Sequence, residues 1–297
     1  MAGTGATVKE TDEVSAYLAE AAEDLFVDGP SARFGYRRVG QKGGVPLVLL
    51  NRFGGTLDWW DPEFLEYLAA DRDVIFFDHV GTGYSTGQPR DSVEAIAEGA
   101  VEFLEALDLA QADLLGWSLG GMVAQRVSLR RPDLVRRLIV AASTAGGQAP
   151  GAPPASERAA SIMSKPDSTV DDVVALFFPE TEAGRAHGYE HIGRVSTRLT
   201  PEAPGVSPEA RAASMAAIFA FASTPVDQVR SDLEAMTHPA LFAAGMKDWL
   251  IPAVASFFAV EHIGSSAQLS VYSDAGHAFL FQHAKAFTAE VKAFLDA

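Results

Sequence analysis

The sequence lacks cysteine altogether and is poor in positive charge. Without a cysteine in 297 residues, disulfides, thiol nucleophiles and cysteine-based zinc sites are excluded. The 23 Lys and Arg residues stand against 39 Asp and Glu, which gives a formal net charge of −16. Such a charge repels phosphate backbones and anionic lipid headgroups, so we expect neither nucleic acid nor a membrane as a partner.

Long apolar runs and targeting signals are also missing. No apolar stretch approaches the roughly 18 residues that a membrane helix requires. Residues 1–10 lack the basic start and the apolar core of a secretory signal, and the single asparagine, Asn51, is not part of a glycosylation sequence. We therefore expect a cytoplasmic protein that acts on a small-molecule substrate. The sequence does not indicate an oligomeric state.

The chain instead contains short apolar runs that alternate with longer helical patterns. This alternation predicts an α/β fold, a mostly parallel sheet with helices on both faces. The predicted strands are Pro46–Leu50, Asp73–Phe77, Ala112–Gly116, Leu138–Ala142, Pro239–Ala244 and Gln268–Tyr272. The predicted helices are Ser92–Leu109 with Asp91 as its N-cap, Leu119–Arg130 and Gln282–Leu295.

The alternation stops between Ser143 and Met236. Residues 146–154 form a segment rich in glycine, proline and alanine, and the residues that follow have helical character without a convincing strand. We therefore expect one α/β core domain, residues 1–147 and 236–297, that carries a helical cap inserted at residues 148–235.

A G-x-S-x-G pattern, Gly116 to Gly120, lies between a predicted strand and a predicted helix. A serine on so sharp a turn requires neighbours without a Cβ two residues before and two residues after it, and both glycines meet that demand. The N–H groups at the start of the helix point at any negative charge that forms there. Ser118 is therefore the candidate nucleophile, and the Leu119 N–H is a candidate oxyanion donor.

A reactive serine needs a histidine to take its proton and an acid to orient that histidine. His277 and Asp248 each follow one of the last two predicted strands, at the carboxyl edge where sites of open α/β sheets lie. Asp274 is a second candidate for the acid, but it is so close to His277 in the chain that it would have difficulty reaching Nδ1.

Together these motifs resemble those of the α/β-hydrolase-fold serine hydrolases, which include esterases, lactonases, cofactor-free haloperoxidases and prolyl aminopeptidases. Residues 78–85 are similar to the D-x-x-G-x-G-x-S segment of that family, and residues 274–277 are similar to its histidine loop. The resemblance covers nearly the whole chain. It implies a triad of Ser118, Asp248 and His277 that works without a cofactor or a metal.

One segment departs from the family pattern. Where the family usually has His-Gly before its oxyanion residue, this chain has Asn51-Arg52-Phe53, so the resemblance implies that the Phe53 N–H is the second oxyanion donor. Arg52 introduces a positive charge close to the place where the oxyanion forms. We consider two hypotheses: Arg52 binds a carboxylate of the substrate, or it pairs with a nearby acid such as Asp58 or Asp78.

Two further motifs need an interpretation. Trp60 and Trp117 are candidate walls of an apolar substrate pocket, together with Trp59 and residues 218–221, and plain core packing is the alternative. Residues 187–191 match the zinc-protease pattern H-x-x-E-H, but Gly188 weakens the helix that the spacing requires. No third ligand is evident, so we expect no metal site.

The resulting prediction is a serine hydrolase that cleaves a carboxylic ester or lactone with an apolar acyl group through an acyl-enzyme. The same triad would also serve perhydrolysis and halide oxidation, C–C bond hydrolysis or a lyase step. A homologue that binds a ligand without turnover is an alternative of another class.

Overall fold

The structure, a computed structural model, describes residues 17–154, 156–165 and 168–297. Their strands form a single eight-stranded sheet. The strands are β1 (Leu25–Asp28), β2 (Arg33–Gly40), β3 (Leu47–Leu50), β4 (Asp73–Phe77), β5 (Ala112–Trp117), β6 (Val135–Ala141), β7 (Ala240–Gly245) and β8 (Ala267–Tyr272).

The strand order is β1-β2-β4-β3-β5-β6-β7-β8, and all pairs from β4 to β8 are parallel. Every residue of β3, β4, β5 and β7 is buried, which is why these strands appear in the sequence as continuous apolar runs. All six predicted strands are confirmed, as is the α/β fold class. β6 begins three residues earlier than predicted.

The strands β1 and β2 form an antiparallel hairpin at the edge of the sheet, which the sequence did not reveal. From Gly35 to Val39, β2 alternates between buried and partly buried residues, and the strand contains three arginines, two of them ion-paired. An apolar run is therefore absent there.

The helices pack on both faces of the sheet, because alternate residues of each buried strand point to opposite sides. Leu47 and Leu49 belong to one hydrophobic cluster, while Val48 and Leu50 belong to the other. The helices are α1 (Pro62–Ala69), α2 (Val93–Ala106), α3 (Leu119–Arg130), α4 (Glu157–Met163), α5 (Val170–Phe177), α6 (Glu182–Val195), α7 (Pro208–Ala222), α8 (Val226–Glu234), α9 (Val254–Ile263), α10 (Phe279–Gln282) and α11 (Ala284–Asp296), and a 3₁₀ helix spans Leu57–Trp59.

The N-cap of α2 is Ser92, so the prediction of Asp91 was wrong by one residue. Ser92 has extended backbone angles, and its hydroxyl accepts a hydrogen bond from the Ala95 N–H at 3.2 Å. A serine hydroxyl satisfies this free N–H group as well as a carboxylate does, and sequence alone did not separate the two adjacent candidates.

Five helices, α4 to α8, lie between β6 and β7, within the segment for which the sequence predicts a cap. Helix α6 contacts α1 and α10, α7 contacts α2, and α8 contacts α9. The inserted helices therefore rest on helices of both sheet faces. Within the described ranges, none of the helices has the length and apolar character needed to cross a bilayer.

Candidate active site

The turn between β5 and α3 holds Ser118 in a strained backbone conformation, with φ 57° and ψ −117°. It is possible because the flanking glycines have no side chains: a Cβ on Gly116 would stand 2.2 Å from the carbonyl oxygen of Gly120. The carbonyl oxygen of Ser118 accepts hydrogen bonds from the Ser143 hydroxyl at 2.6 Å and the Gly121 N–H at 2.9 Å. Backbone contacts thus fix the serine where strand and helix meet.

Replacing Gly120 with alanine is expected to destabilise the fold by about 3 kcal/mol, because the new Cβ would overlap backbone rather than a movable side chain. That Cβ would stand 2.0 Å from the carbonyl oxygen of Leu50 and 2.8 Å from that of Asn51. Urea unfolding measures the change. The matched control is Gly193→Ala on α6, where a Cβ meets nothing within 4 Å and alanine favours the helix. Equal stability of both variants would contradict this account of the turn.

The acid and the histidine are brought into direct contact. Oδ2 of Asp248, which follows β7, lies 2.7 Å from Nδ1 of His277, which follows β8. The other oxygen, Oδ1, accepts the N–H groups of Leu250 at 2.8 Å and Ile251 at 2.9 Å. The carboxylate is therefore held by its own loop on one side and presents its free oxygen to the imidazole. Asp274, the rival acid, instead contacts Nε2 of His283 at 2.8 Å.

The histidine loop is tied to the serine turn and to the inserted helices. The indole N–H of Trp117, the residue before Ser118, donates to the carbonyl oxygen of His277 at 3.0 Å. The last carbonyls of α5 accept hydrogen bonds from residues next to the acid and the histidine: the Trp249 indole at 3.1 Å and the Ala278 N–H at 2.9 Å. All three predicted triad residues therefore lie on loops that contact one another, at the carboxyl edge of the parallel strands.

The predicted oxyanion donors lie on two segments in close contact. Leu119 is the first residue of α3, a position whose N–H has no partner within the helix. Phe53 lies in the loop after β3, and the close approach of Gly120 to Leu50 and Asn51 packs that loop against the start of α3. The two N–H groups assigned from the sequence thus come from adjacent pieces of backbone.

Arg52 does not pair with either acid, so that hypothesis was wrong. Asp58 instead forms an ion pair with Arg37: Nη1 of Arg37 lies 2.6 Å from Oδ1 of Asp58. Asp78 accepts the N–H groups of Leu57 at 2.7 Å and Tyr84 at 2.9 Å, and burial raises its pKa to about 7. The guanidinium of Arg52 instead lies among aromatic rings, 4.6 Å from the ring centre of Trp59, 4.7 Å from Phe177 and 5.3 Å from Trp117.

The tryptophans predicted as pocket walls are almost completely buried. Trp60 is 2 % exposed and lies 6.3 Å from the ring centre of Phe64, in the cluster under α1. Trp117 is 1 % exposed and packs on Phe281 at 4.9 Å. Phe219, also considered as a wall, is 65 % exposed. Both tryptophans are therefore part of the hydrophobic core.

Two residues of the site were missed by the sequence analysis. Phe177, at the end of α5, packs against the His277 ring with 5.6 Å between ring centres. Arg211 of α7 places its guanidinium 4.9 Å from the ring centre of Phe53. No local signal marks either residue, because both come from helices whose placement depends on tertiary packing.

The H-x-x-E-H segment lies on α6 with its second histidine turned inward. His191 is fully buried, with Nδ1 2.8 Å from Oδ2 of Asp61, and Arg194 also donates to that carboxylate. Burial alone would raise the pKa of Asp61, but these hydrogen bonds hold it below its usual value. His187 lies near the exposed Glu190. Across the described ranges, no cluster of three or more His, Asp or Glu residues is arranged to hold a metal ion.

Comparisons with known proteins agree with this architecture. Over 264 residues the chain is 30 % identical to the 2-hydroxymuconate semialdehyde hydrolase of Pseudomonas sp. strain CF600, a match that covers 85 % of this chain and 87 % of that protein. It is 34 % identical over 96 residues to the putative carbamate hydrolase RutD of Rhizobium rhizogenes, covering 32 % of this chain. The matches to RutD and two further curated relatives span only 36 % to 65 % of their lengths.

A solved alpha/beta hydrolase fold protein from Chitinophaga pinensis superimposes with a TM-score of 0.82 at 28 % identity, over 94 % of this chain and 99 % of that one. The family model described as the alpha/beta hydrolase fold matches residues 45–284. That range includes the serine turn, the acid and the histidine. The chain therefore belongs to the alpha/beta hydrolase fold family.

Proposed function

We propose that this protein is a serine hydrolase that cleaves a carboxylic ester or lactone with a largely apolar acyl group. The observation that carries the proposal is the 2.7 Å contact between His277 Nδ1 and Asp248 Oδ2. With Nδ1 engaged as a donor, Nε2 is the ring nitrogen left to take the proton of Ser118. The strained serine turn next to it supplies the nucleophile.

In the first half of the reaction, Ser118 Oγ attacks the carbonyl carbon while His277 takes the hydroxyl proton. The oxyanion that forms accepts hydrogen bonds from the N–H groups of Phe53 and Leu119, each worth about 2.7 to 4 kcal/mol in the transition state. The intermediate then collapses: the C–O bond to the alcohol breaks and His277 returns the proton to the leaving oxygen. Water, activated by the same histidine, hydrolyses the acyl-enzyme and restores the serine hydroxyl.

Substrate entry requires movement of the inserted helices in this scheme. Ser118 is 9 % exposed and His277 is 2 % exposed. Phe177 of α5 covers the histidine, and Arg211 of α7 covers Phe53. Residues 148–235 would therefore act as the cap. Helix α7 would be the element that opens, because α5 is hydrogen-bonded to the loops that carry Asp248 and His277.

Hydrolysis of a C–C bond is a second candidate. It is favoured by the similarity to 2-hydroxymuconate semialdehyde hydrolase, which extends over most of both chains. The serine, histidine and oxyanion donors would have the same roles, but the leaving group would be a carbanion that needs a proton. Perhydrolysis, a lyase step and an idle binding protein have no comparable observation in their favour.

A panel of activated esters and lactones of graded acyl length tests the proposal. We expect turnover of several members and a serine adduct at Ser118 when the enzyme is quenched during the reaction and digested for mass spectrometry. 2-Hydroxymuconate semialdehyde, the compound in the name of the similar hydrolase, tests C–C cleavage in the same panel. If no substrate is turned over and a fluorophosphonate probe fails to label the folded protein, the hydrolase proposal is wrong and the triad is idle.

A further inference from the structure

Two arginines beside the candidate active site have no carboxylate partner among the described residues. Arg52 makes one hydrogen bond there, from Nη1 to the carbonyl oxygen of Phe53 at 2.7 Å, and its Nε is buried without a partner. Arg211 donates to the carbonyl oxygen of Met163 at 2.8 Å. Unmatched cations are unexpected in a chain with 39 acidic and 23 basic residues.

These two side chains, here called the guanidinium pair, converge on Gly54. A Cβ on this glycine would stand 3.2 Å from Nη1 of Arg211 and 3.8 Å from Nη1 of Arg52, with no other group within 4 Å apart from its chain neighbours. Gly54 has φ 66°, a conformation that favours glycine. The chain therefore leaves a small space bordered by two positively charged nitrogens.

Keeping this charge buried is energetically costly. Burial and the nearby charge of Arg211 lower the pKa of Arg52 to about 9, so it stays protonated at neutral pH. Cation–π contacts with Trp59, Trp117 and Phe177 offset part of the cost. Rings do not satisfy the remaining N–H groups, however, and a buried charge normally has a charged or hydrogen-bonded partner. An anion bound at this place would supply that partner.

The guanidinium pair is directly connected to the catalytic residues. The Arg52 guanidinium packs on Trp117, the residue before Ser118, and on Phe177, which also packs on the ring of His277. Arg211 packs on Phe53, whose N–H is the assigned oxyanion donor. An anion held here would lie close to the carbonyl group that the serine attacks.

We propose that the guanidinium pair binds a carboxylate of the substrate, so that the cleaved ester or lactone also carries a free acid group on its acyl chain. A carboxylate fits because its two oxygens lie in one plane, as do the N–H groups of a guanidinium. The inference rests on the proposed hydrolase function and narrows it to half-esters of dicarboxylic acids and comparable lactone acids. An apolar chain joining the two carboxyl carbons would lie against the partly exposed ring of Trp59.

The test compares two 4-nitrophenyl esters whose second carboxyl group is either free or methylated: 4-nitrophenyl hydrogen adipate and 4-nitrophenyl methyl adipate. For the unmodified protein, kcat/KM for the half-ester is expected to exceed that for the neutral ester by about 100-fold. In Arg52→Met, the ratio of kcat/KM for the half-ester to kcat/KM for the neutral ester falls towards one. In Arg211→Met, this ratio falls to a value between that of Arg52→Met and that of the unmodified protein. Arg130→Met is the matched control, because it removes one positive charge from an exposed ion pair with Glu98 and should keep the ratio.

An equal rate for the two esters in the unmodified protein overturns the carboxylate inference and leaves the hydrolase proposal standing. Failure to hydrolyse either ester and to react with a fluorophosphonate overturns the hydrolase proposal instead. Binding alone gives a second readout that needs no turnover or stable Arg52 variant: adipate should raise the Tm of the unmodified protein more than dimethyl adipate does. If inorganic phosphate raises the Tm as much as adipate, the site is a general anion site and the assignment to a carboxylate fails.

Discussion

Ser118→Ala is expected to lower kcat for an activated ester by about 10⁶-fold and to abolish labelling by a fluorophosphonate. The substitution removes the only atom that forms the acyl-enzyme, so the oxyanion donors are left to act on water alone. The fold should tolerate it, since the Ser118 side chain makes no capping hydrogen bond at the start of α3. Alanine also keeps the same Cβ at φ 57°, so the backbone strain does not change.

The control for this prediction is Ser161→Ala, an exposed serine on α4. It should keep full activity and full labelling, because it removes a hydroxyl of the same kind without touching the site. Circular dichroism and thermal unfolding confirm that both variants are folded. Retention of more than a small fraction of the activity in folded Ser118→Ala would mean that another group is the nucleophile.

The fold and the polar centre of the site could be predicted because their signals are local. Buried parallel strands appear as apolar runs, and the G-x-S-x-G pattern around Ser118 is a short motif that can be recognised without knowing the distant contacts of its glycines. Asp248 and His277 each follow a parallel strand within a few residues, so their shared edge follows from the topology of a parallel sheet. Neither inference needs knowledge of how distant helices pack.

The surroundings of the site could not be predicted, because they depend on contacts between segments that are far apart in the sequence. Phe177 and Arg211 come from helices separated from the catalytic loops by many residues, and their contacts depend on how those helices pack. The role of Arg52 depends on whether a nearby carboxylate lacks another partner and could pair with it. Asp58 and Asp78 were the candidate partners in the sequence. Asp58 pairs with Arg37, which lies on β2, a strand that the sequence analysis did not predict. Asp78 accepts hydrogen bonds from backbone N–H groups.

Asp248→Asn is expected to lower kcat by about 10⁴-fold while the loop keeps its structure. The two oxygens of this carboxylate have different partners, and that difference decides the outcome. Oδ1 accepts N–H groups from Leu250 and Ile251, so in asparagine the amide oxygen must remain on that side. The amide NH₂ then faces His277 Nδ1, where the carboxylate oxygen Oδ2 was an acceptor.

An NH₂ group at that place forces Nδ1 to act as an acceptor, and the proton of the neutral imidazole moves to Nε2. A protonated Nε2 cannot take the proton of Ser118, so the serine is present but not activated. Asp274→Asn provides the matched control: Asp274 lies on the histidine loop and contacts His283, and its replacement should leave kcat within about twofold if it has no catalytic role. The kcat values of the two variants with one activated ester make the comparison. If Asp274→Asn lost the activity and Asp248→Asn kept it, the acid would be the residue on the histidine loop, and the 2.7 Å contact between Asp248 and His277 would not be catalytic.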